Sequence, residues 1–133
     1  MLRDRHEPMD LFAFVPKLGL EMDPVLTEMD RLLEDDVVFQ RVRADLAKRY
    51  PQTLTRGRPS TPVEVILRMH TVKHLYGWSY EETEHFVNDS IVLRQFCRIY
   101  LQAVPDDTTL IRWANLIGSE TLAELNDRVV QLA

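Results

Sequence analysis

The chain has little of what several fold and function classes require. Cys97 is the only cysteine in 133 residues, so no disulfide can form within the chain. Its neighbours Val92, Leu93 and Phe96 mark it as a small core residue. Four glycines are few for a sheet protein built on tight turns, and no strand pattern, internal repeat or low-complexity tract stands out. The opening MLRDRHEPMD lacks the apolar run of a signal peptide, and no apolar stretch approaches membrane-spanning length. A cytoplasmic protein with no membrane partner is expected. There is no glycine-rich phosphate loop, no Gly-x-Ser-x-Gly elbow and no Cys-His pair. What remains is a soluble domain long enough to bury about two-thirds of its surface without disulfide or metal.

The net charge of −5 looks adverse to nucleic acid, but its distribution is uneven. Residues 1–39 carry 4 basic and 10 acidic groups, residues 40–76 carry 8 and 2, and residues 77–133 carry 4 and 9. A basic middle between acidic flanks is one form of electrostatic footprint, because counterion release depends on local phosphate contacts. An unevenly charged solvated surface has the same composition.

Helical spacing recurs along most of the chain and predicts an all-α, compact multi-helix domain of six or seven helices. Residues 1–22 read as an N-terminal extension and residues 23–133 as the helical domain. Asp23-Pro24 opens a helix with Leu26, Met29, Leu32 and Leu33 inward. Asp35-Asp36 opens a second with Val38, Val42 and Leu46 inward, ending before Tyr50-Pro51. Thr61-Pro62-Val63-Glu64 predicts a capping box for a central helix that is apolar around much of its circumference and stops at Gly77. Ser79 and Glu82 form a second box, with Phe86 and Val87 inward, and Asp89 is the expected cap of the next helix. A connector from Arg98 to Val104 leads to Pro105-Asp106-Asp107, which opens a helix ending at Gly118. Ser119 opens the last helix, still periodic through Leu122, Leu125, Val129 and Leu132 at the chain end.

The helix after Asp107 has the pattern of a recognition helix. Leu110, Trp113, Ala114 and Ile117 form its core stripe, while Thr108, Arg112 and Asn115 recur on another face with Thr109 beside them. Arginine can pair with guanine O6 and N7, asparagine with adenine N6 and N7, and threonine with a base edge or a phosphate. Polar stripes are also the ordinary exterior of an amphipathic helix. The loop Arg56-Gly57-Arg58-Pro59 suits an arm in a minor groove or along phosphates, and equally an exposed solubilising loop. Arg68 and Lys73, on the central helix, are candidate phosphate neutralisers.

Three blocks carry a family resemblance. They are Gly57-Arg58-Pro59-Ser60-Thr61-Pro62-Val63-Glu64-Val65-Ile66-Leu67-Arg68-Met69, then Leu75-Tyr76-Gly77-Trp78-Ser79-Tyr80-Glu81-Glu82, then Val104-Pro105-Asp106-Asp107-Thr108-Thr109-Leu110-Ile111-Arg112-Trp113. In this order they resemble the N-terminal domain of IS5-like insertion-sequence transposases, a likeness covering about Met9 to Ala133. The resemblance implies a helix-turn-helix-like, DNA-binding domain that recognises the terminal inverted repeats of a mobile element. In that family an RNase H-like domain with an Asp-Asp-Glu metal triad lies further toward the C-terminus and performs the cutting and joining. The chain therefore reads as truncated before catalysis begins, with no enzyme activity, cofactor or catalytic residue of its own. Double-stranded DNA is the expected partner. A second reading is an interaction module that dimerises with itself or with full-length transposase through Leu26–Leu33 and Leu122–Leu132, and a third is a nonfunctional remnant.

Other constellations support simpler readings. His70 and His74 have a zinc-compatible spacing but lack the glutamate between them and a cysteine partner, so no metal site is expected and the two histidines either pack or sit near a phosphate. Glu81, Glu82 and Glu84 suit a helix N-terminus, and Trp78 and Tyr80 suit anchors of a turn, although either ring could also stack on a base.

Overall fold

A computed structural model describes residues 3–7, 22–34, 37–49, 61–117 and 119–132. Among these residues the chain is all-helical, with seven helices and no strand. They are α1 (Pro24–Glu34), α2 (Val37–Arg49), α3 (Val63–Tyr76), α4 (Tyr80–Asp89), α5 (Ile91–Phe96), α6 (Asp107–Leu116) and α7 (Ser119–Leu132). No helix among the described residues is long and apolar enough to cross a membrane.

Helix α3 is the centre, in contact with α2, α4, α6 and α7. Val63, Val65, Ile66, Leu67, Met69 and Val72 are each no more than 2% exposed. These residues point in nearly every direction around the axis, so α3 must be surrounded. Burial of each such side chain contributes about 1.5–3 kcal/mol. Leu26, Met29 and Leu33 of α1, Val42 of α2, Leu93 and Phe96 of α5, Cys97, and Leu125 of α7 belong to the same core, together with residues of α4 and α6. Burial pushes the Cys97 thiol up to about 12, so it acts as a small apolar side chain.

The helix starts show which local signals acted. Asp23 accepts the Leu26 amide at 2.7 Å, and both halves of the Ser79–Glu82 box are formed at 3.0 Å. Gly77 closes α3 at φ 70°, a conformation that glycine adopts without strain. The expected Thr61 capping box is not formed. Pro62 occupies the cap position and offers no side-chain acceptor. The amides of Val63 and Glu64 instead donate to the carbonyls of Arg3 and Asp4, at 2.8 and 3.1 Å. The extended residues 3–5 thus cap the central helix, and the Glu64 carboxylate holds Arg5 at 3.0 Å. Ser90, not Asp89, caps α5 by accepting the Leu93 amide, while Asp89 ends α4 in a pair with His85. Phe86, expected inward, is 40% exposed, and Thr83 takes the inner position with Val87.

The uneven charge has a structural outcome that the footprint reading did not anticipate. Arg41 pairs with Glu124, Arg43 with Asp4, and Arg68 with Asp30. The acidic flanks therefore fold back onto the basic middle and neutralise part of it. The side chains of Lys48, Arg49, Arg56 and Arg58 lie outside the described ones.

Candidate nucleic-acid interface

Helix α6 starts at a cap formed by Asp106, whose carboxylate accepts the Thr109 amide at 2.7 Å. Hydrogen bonds from Thr109, reinforced by the charge of Arg112, hold that carboxyl below its usual range. Leu110, Trp113 and Ile117 turn inward. Because successive residues are about 100° apart, the opposite face presents Thr108, Ile111, Arg112 and Asn115, and all four are exposed. They form a diamond, with Thr108 and Asn115 at its ends and Ile111 and Arg112 at its sides. Thr109 is about 100° around the helix from Thr108, half-buried, and faces a cleft shared with His6, Thr61 and Pro105. It does not belong to the diamond.

The connector before α6 sets its direction. Arg98 and Tyr100 adopt φ values of 59° and 57°, left-handed conformations that cost a non-glycine residue about 1–3 kcal/mol. Charged hydrogen bonds offset that cost. Arg94 donates to the carbonyls of Asn88, Tyr100 and Gln102, each at 3.0 Å, and so ties the connector to the end of α4. Arg98 reaches Asp30 at 2.9 Å and Glu34 at 2.8 Å.

The α3–α6 contact contains a buried histidine. His70 Nδ1 lies 2.8 Å from the Ile66 carbonyl, which assigns the proton to Nδ1, while Nε2 faces the Leu110 backbone without closing a hydrogen bond. Burial, aided by the charges of His74 and Lys73, lowers its pKa from 6.5 to about 4. The Trp113 Nε1 donor of α6 is also buried, with no partner among the described residues. His70 therefore packs as a neutral core group. Among the described residues no three His, Cys, Asp or Glu side chains are grouped to hold a metal ion.

The proposed contact residues have different fates. Arg68 is 1% exposed: it bonds Asp30, donates to the Phe96 carbonyl at 3.0 Å and lies over the Phe96 ring at 5.2 Å. It is out of reach of any phosphate and cannot be the phosphate neutraliser that its sequence position suggests. Lys73 is half-buried with its ammonium 4.5 Å from the centre of the Tyr80 ring. Arg112 and Asn115 form no hydrogen bond or ion pair with any described residue. Arg56 and Arg58 lie outside the described residues.

The first turn of α6 is ill-suited to phosphate. The Asp107 amide donates to Glu84 at 2.8 Å, the Thr108 amide to Asp107 at 2.8 Å, and the Thr109 amide to Asp106. Its donors are occupied by carboxylates, and Glu81 lines the same acidic cleft as Glu84 and Asp107.

Two features were missed in the sequence. Ile111 escaped notice because a polar-stripe template ignores apolar residues; its position on the helical wheel was sufficient to find it. The second is an apolar groove of about 450 Å³ lined by Leu26, Tyr76, Trp78, Phe86 and Val92. Trp78 stacks on Tyr76 at 4.7 Å and meets Phe86 at 4.6 Å. Asp23 and Asp89 stand at the groove's edge.

A family model described as a transposase domain, DUF772, matches residues 15–116. No solved structure matches the chain.

Proposed function

Because the chain belongs to the transposase domain family DUF772, we propose that it is the DNA-binding portion of an insertion-sequence transposase of the IS5-like kind. In this reading α6 enters the major groove of the element's terminal inverted repeats. Arg112, Asn115 and Thr108 meet base edges there, and α4 to α6 act as a helix-turn-helix-like unit. Arg56 and Arg58 hold the duplex from the loop before α3, and Lys73 supplies charge to the backbone. In such transposases cutting and joining belong to a separate catalytic domain, and the role proposed for these helices is binding.

The observation that carries the proposal is the outward face of α6. An arginine and an asparagine stand exposed there without a hydrogen bond or ion pair to any described residue, on a helix whose other side is fixed in the core. Arg41, Arg43, Arg68 and Arg98, by contrast, are bound to carboxylates of the same chain. The carboxylates at the start of α6 mean that backbone attraction must come from elsewhere, which gives the Arg56–Arg58 loop more of that work. In vitro selection from a random duplex pool, followed by titration at several salt concentrations, tests the proposal. A recovered consensus bound with a salt-dependent affinity supports it; no enrichment and no salt-dependent binding defeats it.

A second reading, a module that pairs with another transposase chain, is favoured by one observation, the Tyr76–Trp78–Phe86 groove. Of the Leu26–Leu33 and Leu122–Leu132 faces, Leu26, Met29, Leu33 and Leu125 are buried in the chain's own core, while the side chains of Val129 and Leu132 lie outside the described ones. Light scattering of the wild type and a Phe86→Lys variant tests it, a groove-mediated dimer being lost in the variant.

A further inference from the structure

The diamond on α6 contains one residue that the polar reading does not use. Ile111 is 42% exposed, between Thr108 one turn before it and Asn115 one turn after it, with Arg112 alongside. Its helix already has an inner face in Leu110, Trp113 and Ile117, so Ile111 is not one of the buried residues that fix the helix in the core. A β-branched side chain in a helix is nearly confined to one rotamer, so it loses little freedom on docking. In the major groove one base-pair feature is apolar, the 5-methyl group of thymine, and small apolar side chains contact it directly.

We infer that Ile111 is a specificity-determining residue that reads a thymine 5-methyl group beside the bases contacted by Arg112 and Asn115. This rests on the reading of α6 as the base-contacting helix and extends it: the preferred site contains a thymine recognised by its methyl group. The diamond then has a division of labour. Arg112 on one side seeks a purine acceptor pair, Ile111 on the other seeks a methyl, and Asn115 and Thr108 lie between them. Leu101 and Val130 are more exposed, at 59% and 64%, but lie outside α6 and have no base-reading neighbours in its diamond.

The test uses the selected duplex. Each thymine is replaced in turn by deoxyuridine, which removes the methyl and leaves base pairing intact. Binding of the wild type, Ile111→Ala and Arg112→Ala is then measured by fluorescence anisotropy, with a thermal melt to check folding. The wild type should lose about three- to fivefold at one thymine, the scale expected for one buried methyl. Ile111→Ala should lose that sensitivity and bind the methylated and unmethylated duplexes alike, while Arg112→Ala should retain it. If no thymine is sensitive, or if Ile111→Ala keeps the full deoxyuridine effect, the inference fails while sequence-specific binding through α6 stands. If no duplex is selected at all, the inference falls together with the reading on which it rests.

Discussion

Arg68 on α3 and Arg112 on α6 are chemically identical side chains with opposite surroundings. Arg68 is buried among Asp30, Glu64 and the Phe96 carbonyl, and it joins α1, α3 and the end of α5. Arg112 extends into solvent and bonds nothing described in its own chain. The contrast extends to their helices. Helix α3 is enclosed from Val63 to Val72 and its Glu64 and Arg68 charges hold the fold, whereas α6 is enclosed on one side and exposed on the other. Basic residues in a sequence therefore do not add up to a binding surface. A cation already matched by a carboxylate of the same chain has little left to offer a phosphate.

The largest expected effect tests the α3 half of this contrast. Arg68→Ala removes a buried guanidinium and leaves the partly buried Asp30 with Arg98 as its one cation among the described residues, so it should destabilise the domain by about 3–5 kcal/mol. Arg112→Ala should change stability by less than about 0.5 kcal/mol, as exposed substitutions do. Chemical denaturation of both variants measures the difference. Equal losses would erase the distinction between a structural and an available arginine.

The second effect concerns the contact between the two helices. His70 has a folded-state pKa of about 4 against an ordinary 6.5, so the folded chain resists protonation that the unfolded chain accepts. The stability it contributes is complete above pH 6.5 and falls as pH drops toward about 4. Across that window the loss is roughly 3 kcal/mol. His70→Gln should flatten this part of the stability–pH curve. A variant curve parallel to that of the wild type would show that His70 is not the group responsible.

Arg112 supplies the third effect, now on DNA rather than on folding. Arg112→Ala should cost about 1–3 kcal/mol on the selected duplex and relax the base preference at one position. Lys73→Ala should weaken selected and scrambled duplexes alike and reduce the salt slope. If Arg112→Ala behaves as Lys73→Ala does, α6 holds the backbone and does not read bases.

Legibility in the sequence followed the range of the interaction. The starts of α1, α4 and α6 were readable because Asp23, Ser79 and Asp106 cap amides only three residues ahead. The core face of α6 was readable because its period is local. The start of α3 was misread because its amides are capped by carbonyls about sixty residues earlier in the chain, which no local box encodes. The role of Arg68 is illegible for the same reason, since its partner Asp30 lies 38 residues away. Phe86 was placed inside on hydrophobicity alone, although Thr83 and Val87 already fill the inner face of α4 and Phe86 stacks on Trp78 at the surface. At the interface, the polar members of the diamond were legible, and the acidic character of its leading edge was visible only in Asp106 and Asp107. The contribution of Glu84 depends on α4 folding against α6.

That leading edge gives the smallest effect and the one most specific to α6. Glu84 accepts the Asp107 amide at 2.8 Å, so it both anchors the start of the helix and places a negative charge near the approaching backbone. Glu84→Gln keeps a carbonyl acceptor for that amide and removes the charge. On the proposed docking, affinity should rise about two- to fivefold on selected and scrambled duplexes alike, consistent with the modest energies of partly exposed charges. The gain should shrink as salt is raised, because screening already weakens the repulsion. The same change on α3, Glu64→Gln, removes a carboxylate from the Arg5–Arg68 network and should lower stability without raising affinity. An unchanged affinity for Glu84→Gln at low salt would place the DNA away from the first turn of α6. The outward face of that helix would then need another partner.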